Sequence, residues 1–201
     1  MPRRDNPTRS LRVASRIVAA KTQNCRTILM RNHPAAPRRA VSELARLATA
    51  ATAARSLHAL RGIEGAATRI YFAHFQELLK QTSCDNPQPA FHFPGRNRRP
   101  PRDPINALLS FAYAMLAKDL TIATMVVGFD PCLGLYHAPR HGRPALALDL
   151  MEEFRPIIAD SVVLTAVNKA ILTPKDFTAR DNAVALTPEA RKRFIRAYER
   201  R

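Results

Sequence analysis

Alanine and leucine dominate this chain, and its apolar residues recur three and four positions apart through most of its length. That pattern fits the 3.6-residue turn of an α-helix, not the two-residue alternation of a half-buried strand. Alanine and leucine are also the strongest helix formers, and only six glycines interrupt them. The expected fold is an all-α helical bundle domain with at most one small β-hairpin. The 201 residues suffice for one domain with a sizeable core.

The helices can be placed in order. Residues 1–10 read as a basic, solvated arm. Leu11, Ile17, Val18, Ile28 and Leu29 lie on one face of a first helix, which "HPAAPRR" ends. Val41, Leu44, Leu47, Leu57 and Leu60 give a second helix over 41–62, and "GIEGAATRIYFAHFQELLK" a third. "QTSCDNPQPAFHFPGRNRRPP" reads as a Pro- and Arg-rich loop. Asp103 then caps a helix that has Pro104 at its first position and runs on to Val127. The 128–156 segment then reads as a loop and another helix, with a kink expected at Pro156, which has no N–H to donate, and apolar residues resume over 157–171. "TARDNAVAL" suits a short hairpin turning at Asp181-Asn182, and Thr187-Pro188 opens a terminal helix.

The formal net charge is +16, with arginine far outnumbering lysine. Between Met1 and Gly62 there are thirteen basic residues against two acidic ones. Arginine binds phosphate bidentately, so a nucleic-acid partner is expected. The three cysteines, Cys25, Cys84 and Cys132, are widely spaced and form no CxxC pair. That excludes a disulfide framework and a zinc knuckle and points to a reducing compartment. "MPRRDNPTRS" has no apolar segment behind it, as a secretory signal would. No apolar run is expected to reach membrane-spanning length. The expectation is a cytoplasmic protein without membrane contact.

Against this basic background, one segment gathers acids. In "GFDPCLGLYHAPRHGRPALALDLMEEFRP", residues 128–156, a loop histidine precedes Asp149, Glu152 and Glu153. Asp149 shares a helix face with Glu152 and Glu153. A solvated helix face is the ordinary meaning of such a run. Here Leu146, Leu150, Phe154 and Ile157 are expected to be the buried stripe, with the acids at its edge. His137 and His141 are equal candidates on spacing. Glu64 lies between Gly62 and Gly65 at an expected helix start, where the glycines would admit another backbone or a ligand. The helix dipole would equally favour a glutamate there. If one imidazole and two or three carboxylates converge, the set suits manganese or magnesium. In a basic protein such an ion would serve phosphodiester chemistry.

"LRGIEGAATRIYFAHF", "FPGRNRRPPRDPINALLSFAYAML" and the 128–156 segment, in this order, resemble the helical domain of the CRISPR-associated endonuclease that integrates new spacers, CRISPR-associated protein one. "RIVAAKTQNCRTILMRN" resembles that domain's opening helix. The resemblance runs from about residue 11 to the C-terminus. It implies a metal-dependent DNA endonuclease and integrase of CRISPR adaptation, with Mg2+ or Mn2+ held by Glu64, His137 and Glu152 and assisted by Asp149. It selects His137 over His141 and leaves Glu153 without a role. It further implies protospacer and repeat DNA as substrates, a homodimer and a small ferredoxin-like CRISPR-associated partner. The expected phosphate-binding surface is the first 62 residues with Arg96, Arg98, Arg99 and Arg102, and Arg143 near the reacting phosphate. The expected organisation is a basic arm, 1–10, and a helical catalytic domain, 11–201. The family's N-terminal β-rich domain, which supplies much of its homodimer contact, has no counterpart in these residues. Family members also continue past "FIRAYERR", and often have serine where this chain has Ala145. A non-catalytic nucleic-acid-binding remnant of the family is the alternative.

Overall fold

The computed structural model describes residues 6–80, 91–97, 100–138 and 140–200. Helix α1 (Pro7–Asn32) opens with Asn6 accepting from the Arg9 N–H at 3.1 Å and with Pro7 at its first position. It therefore takes in Pro7–Ser10, which periodicity assigns to the arm, and Ser10 is already buried. The Asn-Pro pair is a helix start that carries no apolar signal. The inward stripe of α1 runs through Ala14, Ile17, Val18, Lys21, Cys25, Ile28 and Leu29. A lysine thus stands in the phase of the core.

Helices α2 (Arg38–Thr52) and α3 (Leu57–Ala73) pack on α1 and on each other. The break between them falls at residues 53–56, not at Gly62. Ser56 accepts from the Ala59 N–H at 3.1 Å and starts a new helix there. Gly62 and Gly65 consequently lie inside α3, with nothing within 4 Å of a side chain added at either. No other backbone approaches them, contrary to expectation. A single 3-10 turn, Gln76–Leu78, follows α3.

Helix α4 (Pro104–Val126) is capped by Asp103, which accepts from the Asn106 N–H at 2.8 Å. It is long and apolar enough to cross a membrane by length and composition, contrary to expectation. Its first half, however, buries Ile105, Leu108, Leu109 and Ala112 in the main core. Asn106, wholly buried, accepts from Arg96 Nη1 at 2.6 Å and donates to the Gly95 carbonyl at 2.8 Å. The loop before α4 is fixed by these bonds.

Helix α5 (Ala145–Phe154) passes into a π-helical turn, Arg155–Asp160, and then into α6 (Ser161–Asn168). Pro156 cannot give an N–H to the Glu152 carbonyl, so the expected kink takes the form of a widened turn. The hairpin of β1 (Phe177–Arg180) and β2 (Ala183–Leu186) pairs Phe177 with Leu186 and Arg180 with Ala183. Asp181 and Asn182 have φ of 47° and 62°. Both central residues of a tight two-residue hairpin take positive φ to match strand twist. Helix α7 (Pro188–Glu199) closes the chain against α6, with Thr187 accepting from the Ala190 N–H at 3.3 Å.

The π turn is held to α4 by charge. Tyr113 donates to Asp160 at 2.7 Å, and the guanidinium carbons of Arg155 and Arg96 lie 5.0 and 5.4 Å from the Tyr113 ring centre. Burial pushes the Asp160 carboxyl up to about 6, against the bond from Tyr113 and the charges of Arg155 and Arg96. The folded protein holds this proton more tightly than the unfolded chain. The group's contribution to stability is therefore full below about pH 4 and lost as pH rises to about 6. Two pKa units correspond to roughly 3 kcal/mol. Asp160→Asn cannot titrate. In urea unfolding, the stability of the parent relative to this variant is expected to drop between about pH 4 and pH 6 and to level off above. A difference independent of pH over that range contradicts this account.

Candidate active site

Helix α5 presents Ala145, Asp149 and Glu152 inward, at spacings of four and three, beside Met151. Asp149 is 0% exposed and Glu152 2%, whereas Leu146, Leu150, Phe154 and Ile157 are only half-buried. The acids are the buried face, not its edge. The apolar residues mislead because they mark one side of the helix while specific partners neutralise the other.

Asp149 is satisfied by the loop before it. Its Oδ2 accepts from the N–H groups of Leu135 and Tyr136 at 2.5 and 2.9 Å. Its Oδ1 accepts from the His137 N–H at 2.8 Å and lies 2.7 Å from His137 Nδ1. Three amides and an imidazole leave this carboxylate little capacity for a metal ion. The loop reaches α5 only because residue 134 is glycine. A Cβ there would stand 2.7 Å from Ala145 Cβ and 2.8 Å from the His137 carbonyl oxygen. Gly134 and Ala145 are both buried at this contact.

With Nδ1 held by Asp149, His137 turns Nε2 toward Glu152, whose Oε1 is 3.9 Å away. Glu152 Oε1 is also 3.1 Å from Arg155 Nη2. Its Oε2 lies 2.7 Å from Lys21 Nζ, yet off the hydrogen-bonding direction, and has no other partner. Lys21 Nζ also pairs closely with Glu64 Oε1. Tyr136 donates to Glu64 Oε2 at 3.2 Å, and Arg61 Nη2 donates to the Tyr136 carbonyl at 3.2 Å. His137 therefore meets Glu152, and Lys21 joins Glu152 to Glu64, although these residues come from the loop, α5, α1 and α3.

Electrostatics follow from burial. Desolvation pushes the Glu152 carboxyl up, but Lys21 and Arg155 outweigh it and hold the acid below its ordinary value. Desolvation likewise works against the Lys21 charge, and Glu152 and Glu64 overcome it, so the ammonium is held above its ordinary value. Burial, then the nearby charge of Glu64, pushes the Tyr136 phenol up.

The donor set suits a hard divalent cation. Glu64 and Glu152 offer carboxylate oxygens, one of them buried without a hydrogen-bond partner, and His137 offers an oriented imidazole nitrogen. Among the described residues, the one group whose ligand atoms all lie within 4.8 Å of one another is His33, His74 and Glu77. It caps the ends of α1 and α3 and shares no residue with this site. The Glu64–His137–Glu152 set is wider, with Lys21 between its carboxylates.

Other expected residues scatter. His141 is exposed in the loop. Glu153 contributes its main-chain carbonyl, which accepts from Asn24 Nδ2 at 2.9 Å and ties α5 to α1. Arg96 is turned inward onto Asn106 and Tyr113, while Arg102 is exposed and Arg143 half-buried. Arg98 and Arg99 lie outside the described residues. Sequence reasoning missed Lys21, Tyr136, Arg155 and Gly134. Lys21 alone left a signal, a charge in the apolar phase of α1.

Beneath a basic exterior, this helical domain thus sets a half-buried imidazole against two buried carboxylates, Asp149 and Glu152. Residues 2–200 match the family model of CRISPR associated protein Cas1, and the chain belongs to that family. It is 48% identical to a CRISPR-associated exonuclease Cas4/endonuclease Cas1 fusion of Geobacter sulfurreducens, over 98% of this chain and 36% of that one. Its fold matches a Cas1 protein of Thermotoga maritima with a TM-score of 0.82 and 28% identity, over 98% of this chain and 60% of that one. It matches a chain of a partial Cas6-RT-Cas1–Cas2 complex with a TM-score of 0.86 and 30% identity, over 98% of this chain and 59% of that one. The chain thus spans from about a third to six tenths of these three proteins.

Gly134→Ala tests the loop contact. The added methyl must displace the loop or α5, and the substitution is expected to cost about 1–3 kcal/mol, as overpacking does. It should also free the His137 ring from Asp149, read as changed ring 15N chemical shifts of His137 by NMR at fixed pH. An unchanged thermal midpoint together with unchanged His137 ring shifts contradicts the packing described.

Proposed function

We propose that this chain forms the helical catalytic domain of a divalent-metal-dependent endonuclease and integrase, which cuts and joins phosphodiesters to insert spacer DNA into a CRISPR repeat array. The observation that carries this reading is His137, held at Nδ1 by buried Asp149 and aimed at buried Glu152, with Glu64 across Lys21. Glu64, His137 and Glu152 would hold Mg2+ or Mn2+. Such an ion, when bound, polarises a phosphoryl oxygen and acidifies a water or a 3′ hydroxyl.

The chain's own groups prepare that chemistry. Asp149 fixes the imidazole tautomer, with the proton on Nδ1 and the lone pair of Nε2 free for a ligand. Arg155 keeps Glu152 ionised in a buried setting. Tyr136 orients Glu64. Arg61, exposed beside the loop, stands where a phosphate approaching Glu64 would pass. The exposed Arg12, Arg16, Arg31 and Arg46, with Arg102, would take the DNA backbone. Arg98, Arg99 and Arg143 remain proposed phosphate contacts, while Arg96 serves to hold its own loop. The partners are protospacer and repeat DNA, a second copy of the protein and a small ferredoxin-like protein, in keeping with the complex named for Cas1 and Cas2. The cytoplasm is the proposed location.

Strand transfer on branched DNA with Mn2+ or Mg2+ is the test. Glu64→Ala, His137→Ala and Glu152→Ala are each expected to reduce it to background. Asp149→Ala should cost about ten- to a hundred-fold, as loss of a ligand's support does. Glu153→Ala should leave activity near that of the parent. A Glu153 variant as inactive as the Glu152 one refutes the ligand assignment. DNA binding without metal-dependent turnover in the parent favours a non-catalytic binding domain.

DNA affinity should fall steeply with salt. Each phosphate neutralised contributes about 0.9 to the slope of log affinity against log salt on duplex DNA. Arg102→Ala is expected to lower that slope and Arg96→Ala to lower the thermal midpoint instead. The reverse pattern would place Arg96 on the DNA.

A further inference from the structure

Lys21 is the one lysine of α1, and it points into the domain at 7% exposure. Its ammonium lies between the two carboxylates just read as metal ligands, close to Glu64 Oε1 and 2.7 Å from Glu152 Oε2. The atoms it pairs with are those a divalent cation would need. The two cations on Glu152 are not equivalent. Arg155 takes Oε1 and is itself fixed over the Tyr113 ring. Oε2 has Lys21 alone, off the hydrogen-bonding direction.

We propose that Lys21 is a placeholder cation. Its ammonium holds Glu64 and Glu152 together in the metal-free protein and leaves the space between them when a divalent ion binds. Metal loading is then an exchange of one cation for another. The proposal rests on the reading of Glu64 and Glu152 as ligands.

Charge balance is the first argument. Glu64, Asp149 and Glu152 carry three negative charges, and Lys21 and Arg155 carry two positive ones. A divalent ion added to this set would leave one uncompensated positive charge in a largely buried site, which is costly. Withdrawal of the ammonium removes that excess. The second argument is mechanical. A lysine is a point charge on a flexible four-carbon stem, so it can retract without moving its helix, whereas an arginine fork would bridge both acids rigidly. Helix α1 stays docked meanwhile, because Asn24 holds the Glu153 carbonyl at 2.9 Å. The third is that a buried acid pair without any cation would repel and desolvate at once. The placeholder lets the domain fold before it is loaded, and it limits affinity for the ion.

Binding of Mn2+, followed by the loss of the free-ion electron paramagnetic resonance signal, tests the exchange. Lys21→Met should bind Mn2+ at least about tenfold more tightly than the parent, since a unit charge a few ångströms away has been removed. Its melting temperature should be lower than the parent's without metal and recover most of that loss with Mn2+. Lys21→Arg, which retains the charge, should bind no more tightly than the parent. In the parent itself, the side-chain 15N signal that Lys21→Arg removes should shift on saturation with Mg2+. That measurement decides the matter even if Lys21→Met does not fold.

Mn2+ binding that depends on Glu152, with equal or weaker affinity in Lys21→Met, overturns the placeholder role. So does a Lys21 signal that Mg2+ leaves unmoved. Mn2+ binding that is unaffected by Glu152→Ala, or absent from parent and Lys21 variants alike, refutes the ligand reading itself and this proposal with it.

Discussion

A carboxylate buried at the centre of a domain must find donors, and most of the site follows from how Asp149 does so. Its donors are three consecutive amides, of Leu135, Tyr136 and His137, and the imidazole that follows them. That one arrangement bends the loop onto α5, brings His137 over the helix and sets the direction of its free nitrogen. It depends on Gly134, where a methyl group would collide with Ala145. Glu152, three residues along the same helix face, is then the acid the imidazole meets.

The second constraint is neutrality. Asp149 is answered by dipoles, Glu152 by Arg155 and Lys21, and Glu64 by Lys21 and Tyr136. These partners come from α1, the loop and the π turn, and the acids from α3 and α5, so the site ties together elements far apart in sequence. Pro156 contributes by widening the helix next to Glu152. Arg155 then reaches both the acid and the ring of Tyr113 on α4. Groups that fix the ligands also pin the helices to one another.

The chain also separates charge by depth. Apart from half-buried Arg26, the arginines of α1, α2 and α3 face outward, while Asp149 and Glu152 lie inside. A polyanion can approach such a surface without meeting repulsion until it reaches the acids, and a cation there would reverse their sign. This is the physical sense in which a strongly basic Cas1-family chain can carry an acidic centre.

Much of this was legible in the residues. Periodicity placed the helices, Asp103-Pro104 and Thr187-Pro188 marked two of their starts, and Asp181-Asn182 marked the hairpin, because these signals are local. The Ser56 start was missed because alanine-rich sequence carries the same helical signal on both sides of it. The motifs singled out Glu64, His137, Asp149 and Glu152; the fold sets His137 against Asp149 and Glu152, with Lys21 between Glu152 and Glu64. What the sequence by itself determined is therefore the helices and the residue types able to hold a cation. Tertiary structure alone decided that the acids are the inward face of α5, that Asp149 supports the imidazole through amides, and that Lys21 stands between Glu64 and Glu152. The physical reason is that burial of a charge depends on partners the fold brings in, as it brings Lys21 to Glu64 from 43 residues away, and no local pattern records which of them will arrive.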